Sequence, residues 1–204
     1  MVKKVLMPLA RGFEEIEALT PMDYLRRAGI ELVSAGLEPS TGQNKGCLVT
    51  GSHNIPVMAD TSLGELVGDQ KLDPSFWDAI ILPGGMPGAS NLSASMEIRA
   101  FLLEMAAAGK WICAICASPA LVLAPLGLLD RRNCCCFPGM EDRASLAKWS
   151  EARVTVDENP GAGGFITSRG AGTAGEFAIA IISRLLNEEE GRNLAKKVLL
   201  YLPA

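Results

Sequence analysis

What most limits how this chain can fold is an alternation: short apolar runs bounded by Gly and Pro follow one another with amphipathic segments of helical length between them. That pattern belongs to βαβ units, in which parallel strands are buried on both faces by helices. Strands are expected at Lys4–Leu9, Glu31–Ala35, Ala79–Leu82, Lys110–Ile115 and Phe165–Thr167, with weaker ones at Cys47–Val49, Pro56–Met58, Cys134–Phe137 and Val154–Asp157. Helices are expected at Glu14–Ala28 and Ser95–Ala108, each followed by the Gly that commonly stops a helix. Further helices are read at Ser62–Val67, Pro119–Ala124, Asp142–Lys148, Thr173–Leu186 and Glu188–Tyr201, and Pro21 should kink the first. The fold class is α/β, a mostly parallel sheet with helices on both faces, and residues 1–204 read as a single domain.

One uncharged stretch of nineteen residues, Trp111 to Leu129, has the length of a membrane span. Pro119 and Pro125 divide it, however, and its first part reads as a strand buried in a parallel sheet. No membrane association is expected. After Lys3-Lys4 only six uncharged residues precede Arg11, too few for a signal peptide. A net charge of −4 without a basic block argues against a nucleic-acid partner.

Six cysteines without a signal peptide suggest a reducing, cytoplasmic setting, where thiols serve packing, metal binding or catalysis. Cys113-Ala114-Ile115-Cys116 matches C-x-x-C, but along a strand its ends lie roughly 10 Å apart. A disulfide needs less than about 7 Å between Cα atoms. Cys134-Cys135-Cys136 would point in alternating directions, with no second C-x-x-C or His pair to complete a zinc site, so no metal is expected.

In open α/β sheets, ligands bind beyond the carboxyl ends of the strands. The loop after the fourth major strand carries Cys116-Ala117-Ser118-Pro119, small residues around a Cys, with Ser as a helix cap and Pro at the first helical position. This resembles a nucleophile elbow, whose helix-start N–H groups would favour the thiolate. Gly84-Gly85, after the third major strand, could bring backbone donors to a developing oxyanion. Glu14 and Glu15 read as solvated complements to the helix dipole. Glu17, one turn on, can turn toward the strand ends, and one member of a Cys116–Glu17 pair should be protonated near neutral pH. His53, the sole histidine, sits in a turn-like Gly51-Ser52-His53-Asn54 and reads as a surface residue.

These residues resemble the DJ-one/ThiJ/PfpI superfamily, most nearly its DJ-one (Parkinson-disease protein deglycase) and bacterial ThiJ branch. The segments that carry the resemblance are Gly12 to Ala18, Arg26 to Ile30, Leu82 to Gly85, Ala114 to Pro119 and Thr167 to Thr173, five matches in order along nearly the whole chain. The resemblance implies a flavodoxin-like three-layer sandwich, a homodimer, Cys116 as an oxidisable nucleophile and Glu17 as its protonated partner. It also implies that Gly85 and Ala117 offer N–H groups to a substrate oxygen or a cysteine sulfinate, and that no cofactor is needed.

The activity implied is a cysteine-dependent glyoxalase or protein deglycase acting on small α-oxoaldehydes such as methylglyoxal or on glycated adducts. A redox-sensing chaperone is the alternative, and a Cys peptidase or amidase a more distant one. The chain departs from the best-known member at Phe137, where that member has a pocket His, and at Ala171, where it has Pro. His53 falls near that member's pocket Arg from the partner subunit, which makes it a pocket candidate as well.

Overall fold

The computed structural model describes residues 2–39, 46–143 and 146–201. Its centre is a seven-stranded sheet built from β1 (Lys4–Leu9), β2 (Glu31–Gly36), β5 (Thr61–Ser62), β6 (Ala79–Leu82), β7 (Trp111–Ile115), β10 (Val154–Glu158) and β11 (Gly164–Ser168). The spatial order is β10-β11-β7-β6-β1-β2-β5, and every pairing is parallel except that of the edge strand β10 with β11.

Period-2 alternation sorts the strand side chains into two cores. Val5, Met7 and Leu9 of β1, Ala79 and Ile81 of β6, and Cys113 and Ile115 of β7 face one layer, together with Phe177, Ile181 and Ile182 of α5 (Ala174–Leu185) and Leu25 of α1 (Glu15–Arg27). Leu6, Ile80, Leu82, Ile112 and Ala114 face the other, against Leu66 of α2 (Leu63–Gly68), Leu92 of α3 (Gly88–Ala94) and Phe101 and Met105 of α4 (Met96–Ala107). Leu194 of α6 (Glu188–Lys197) closes the first layer. A strand whose successive residues enter different cores must be apolar throughout, which is why β6 and β7 lack polar residues. The expected three-layer sandwich is therefore present.

The weaker strands expected at Cys47–Val49 and Pro56–Met58 are present as Cys47–Thr50 (β3) and Pro56–Ala59 (β4), an antiparallel hairpin outside the sheet. Other local expectations are corrected. Of Cys134–Phe137 only Cys134 lies in a strand, Asn133–Cys134 (β8), paired with Lys148–Trp149 (β9). Where a helix was expected over Asp142–Lys148, Glu141–Arg143 makes one 3₁₀ turn, and residues 144 and 145 lie outside the described residues. Tertiary pairing overrides propensity here: the Arg131 N–H bonds Leu146 O and the Lys148 N–H bonds Arg132 O. Pro119–Leu123 is a π-helical turn rather than an α-helix, and α6 ends at Lys197, with Leu199 in the left-handed region beyond it. Helix α1 runs without a break through Pro21. Among the described residues no helix is long and apolar enough to cross a membrane.

Candidate active site

The carboxyl ends of β1, β6 and β7 converge on Cys116. Directly after β7 this residue takes φ +64°, a left-handed conformation that turns the chain sharply between strand and helical turn. Its N–H donates to Ser168 O at 2.9 Å and its carbonyl accepts from the Phe137 N–H at 2.8 Å, so both flanks of the elbow are tied to neighbouring chain. Ser118 is not the helix cap its position suggested. It already has helical backbone angles, which place it inside the turn, and its hydroxyl donates instead to Pro83 O at 2.6 Å. That bond joins the elbow to the glycine loop.

Glu17 reaches the same place from α1. Its side chain is buried, accepts a hydrogen bond from the Gly84 N–H at Oε2 (2.9 Å) and lies close enough to Cys116 for each to shift the other's ionisation. Gly84 is required here by space: a Cβ on it would lie 2.6 Å from Glu17 Oε2 and 2.7 Å from Cys116 Cβ. Because its N–H is directed to Glu17, the N–H groups left to act on the sulfur are those of Gly85 and Ala117, and both favour its charged form.

The electrostatics of the two groups are linked. Burial pushes the Glu17 carboxyl up to about 7; its bond with Cys116 opposes this, the Glu14 carboxylate adds to it, and the Gly84 N–H opposes it again. Burial, followed by the charge and hydrogen bond of Glu17, pushes the Cys116 thiol up to about 12, while the Ala117 and Gly85 N–H groups pull it down. The expectation of a thiolate produced by the helix start alone is thus corrected, since desolvation outweighs those donors. With the proton on Glu17 the repulsion disappears, so the pair titrates as a unit that carries a single negative charge above neutral pH. One proton shared between a nucleophile and a carboxyl suits addition to a carbonyl followed by proton transfer.

Phe137 lies beside the pair. Its ring edge stands 3.6 Å from where a Gly170 Cβ would be, and Glu17 Oε1 stands 3.9 Å from the same point. Ala171, next in sequence, is half-buried in the 3₁₀ turn that leads into α5. His53 is elsewhere: within the chain it binds Glu15, through Nδ1 to Oε2 and through its N–H to Oε1, both at 2.8 Å. Glu15 is consequently buried, not solvated, and this arrangement was not visible in the spacing of the helix. The nearby signal was Gly51, because a side chain there would strike the Glu15 carboxylate. One ligand-type atom from each of Glu14, Glu15 and His53 falls within 4.8 Å of the others. The Glu15 oxygens and His53 Nδ1 are already engaged with each other and with Ser52 and Ile55, so the cluster works as a hydrogen-bonded latch. All six cysteines are free thiols, and only Cys116 among them is less than fully buried.

A family model described as the DJ-1/PfpI family matches residues 3–184. Protein DJ-1 homolog B of Arabidopsis thaliana is 37% identical over 196 residues, which are 96% of this chain and 41% of that protein, so the chain spans under half of that relative's length. The Parkinson disease protein 7 homolog of Danio rerio is 37% identical over 190 residues, 92% of each chain. A Pyrococcus horikoshii protein named a deglycase is 29% identical over 76% of this chain and 86% of its own. Among solved structures, Toxoplasma gondii DJ-1 in an oxidized form superposes with a TM-score of 0.86 at 36% identity, covering 98% of this chain and all of that one.

Proposed function

This chain belongs to the DJ-1/PfpI family, and from that premise we propose that it is a cofactor-independent, cysteine-dependent glyoxalase or deglycase acting on methylglyoxal-type α-oxoaldehydes or their adducts. The observation that carries the reading is the convergence of Cys116 and the buried Glu17 carboxyl on Gly84, 2.7 and 2.6 Å from where its Cβ would lie, with the ionisation of each coupled to the other. The deglycase name of the Pyrococcus relative supports it.

The chemistry follows from one movable proton. Thiolate adds to the aldehyde carbon, and the resulting alkoxide takes the proton from Glu17, giving a hemithioacetal. The Glu17 carboxylate then removes the carbon-bound hydrogen of that carbon as a proton and returns it to the neighbouring carbon. The hemithioacetal hydroxyl proton passes to the neighbouring oxygen, so that the neighbouring carbonyl becomes a hydroxyl and the first carbon becomes a thioester. Water cleaves the thioester to lactate and restores the thiol. The net change is methylglyoxal plus water to lactate, with no external oxidant or reductant. On an adduct, release of the amine or thiol precedes the same sequence. Replacement of Cys116 by Ala should abolish lactate formation from methylglyoxal by the purified protein; undiminished methylglyoxal consumption would sink the proposal.

A second reading, a redox-sensing chaperone, is favoured by one observation: Cys116 alone among the cysteines is not fully buried, and its backbone donors suit the oxygens of a sulfinate. Mild peroxide followed by peptide mass analysis should then add oxygen selectively at Cys116, and oxidation spread evenly over the cysteines would count against sensing. A cytoplasmic homodimer is part of both readings, and sedimentation velocity tests the assembly.

A further inference from the structure

Glu14 takes no part in the chemistry just described, yet a closed ring of hydrogen bonds passes through it. Its N–H donates to Gly84 O at 3.0 Å, the Gly84 N–H donates to Glu17 Oε2 at 2.9 Å, and the Glu17 N–H donates to Glu14 Oε2 at 2.7 Å. The ring joins the start of α1 to the glycine loop after β6, and it includes both the backbone and the side chain of Glu17. Gly85 packs so closely on the Glu14 backbone that a Cβ at Gly85 would overlap the Glu14 amide nitrogen.

An N-terminal helix carboxylate ordinarily faces water, where solvent weakens its effect on neighbours. The Glu14 side chain is only 13% exposed. Among the described residues these groups face it. On its own helix they are Glu17 and Glu15; from the hairpin turn, His53 Nδ1 stands 4.0 Å from Oε1; from the glycine loop, Gly84 and Gly85 present backbone alone. Beyond Glu17 stands Cys116, the other titratable member of the site.

We propose that Glu14 is a positioning residue for the Cys116–Glu17 pair: its backbone and side chain fix Glu17 against Gly84, and its charge holds the shared proton on the carboxyl rather than letting it leave. A like charge makes ionisation of a neighbour costlier, so the Glu14 carboxylate raises the pH at which the pair first gives up a proton. A carboxyl that is still protonated near neutrality can donate to the alkoxide formed by thiolate addition. The inference rests on the reading of Cys116 and Glu17 as the reacting pair.

The test separates charge from capping. Asp and Asn are both strong N-caps, so Glu14→Asp and Glu14→Asn keep an acceptor for the Glu17 N–H and differ only in charge. The readout is the pH dependence of iodoacetamide alkylation at Cys116, followed by peptide mass mapping. In the first, near-neutral phase of the profile the Asn variant should reach its midpoint about 0.5–1 pH unit below the Asp variant and level off at a lower alkylation rate, because its Glu17 ionises more readily and leaves the proton on the thiol. The Asp variant should stay near wild type. Coincident midpoints, or an upward shift in the Asn variant, would overturn the proposal. If the Asn variant folds poorly, Glu14→Gln against wild type gives the same charge comparison at full side-chain length. Alkylation requires no turnover, so a wild-type protein that makes no lactate would defeat the proposed function while leaving the role of Glu14 to be decided by the midpoints.

Discussion

Glu15 and Glu17 are two residues apart on one helix, both are buried, and they behave in opposite ways. Burial lifts the Glu17 carboxyl to about 7 because the groups around it supply little compensation: one backbone N–H, a thiol that itself ionises, and a second carboxylate. Burial also acts on Glu15, yet the His53 side chain, the His53 N–H and the Ile55 N–H together hold that carboxyl below its usual range. Desolvation alone therefore does not make a functional acid. What separates a latch from a reacting group is whether enough donors meet the charged form.

The contrast can be broken most sharply at Glu17. Glu17→Gln keeps the shape and an acceptor for Gly84 but cannot move a proton, so lactate formation from methylglyoxal should fall about 10²–10⁴-fold. Activity within a few-fold of wild type would mean that Glu17 is only structural. The next effect in size is on stability. Because the folded Glu17 holds its proton more tightly than the unfolded chain, its contribution is full below pH 4.5 and is lost as pH rises to about 7, a decline of about 3 kcal/mol. Urea denaturation across that window should show the decline in wild type and not in Glu17→Gln. Glu15 has the reverse sign: its depressed carboxyl contributes stability above pH 4.5 that is lost as pH falls through its folded value. Glu15→Gln should lower stability at neutral pH by about 1–2 kcal/mol and flatten the acid side of the curve. A variant as acid-sensitive as wild type would show that the His53 latch carries no weight.

The layered sheet was legible because apolar strands buried on both faces leave long uncharged runs such as Trp111 to Leu123. Helix α3 was missed because it begins at Gly88 after Pro87 and has no side-chain cap to announce it. The Cys134 to Cys136 run has the composition of a strand, yet only Cys134 pairs, since the Cys135 N–H is taken by Thr167 Oγ1 and the chain then turns toward Cys116 through Phe137. In the site, Cys116 and Glu17 could be singled out from turn chemistry and helical phase. The role of Glu15 could not, because it depends on a hairpin turn some 38 residues away along the chain. The shift of the thiol is hidden from the sequence for a related reason: helix-start donors can be read from Ser118-Pro119, whereas the depth of burial opposing them is a property of the assembled layers.

The left-handed backbone at Cys116 has an evolutionary corollary. A non-glycine residue at φ +64° costs about 1–2 kcal/mol that Gly, and to a lesser degree Asn, would not incur. A descendant freed from any need for a thiol would gain stability by drifting to one of those residues. The elbow thus sets selection for chemistry against selection for a firmer fold at one position, and a relative with Gly there should be a more stable, inert copy.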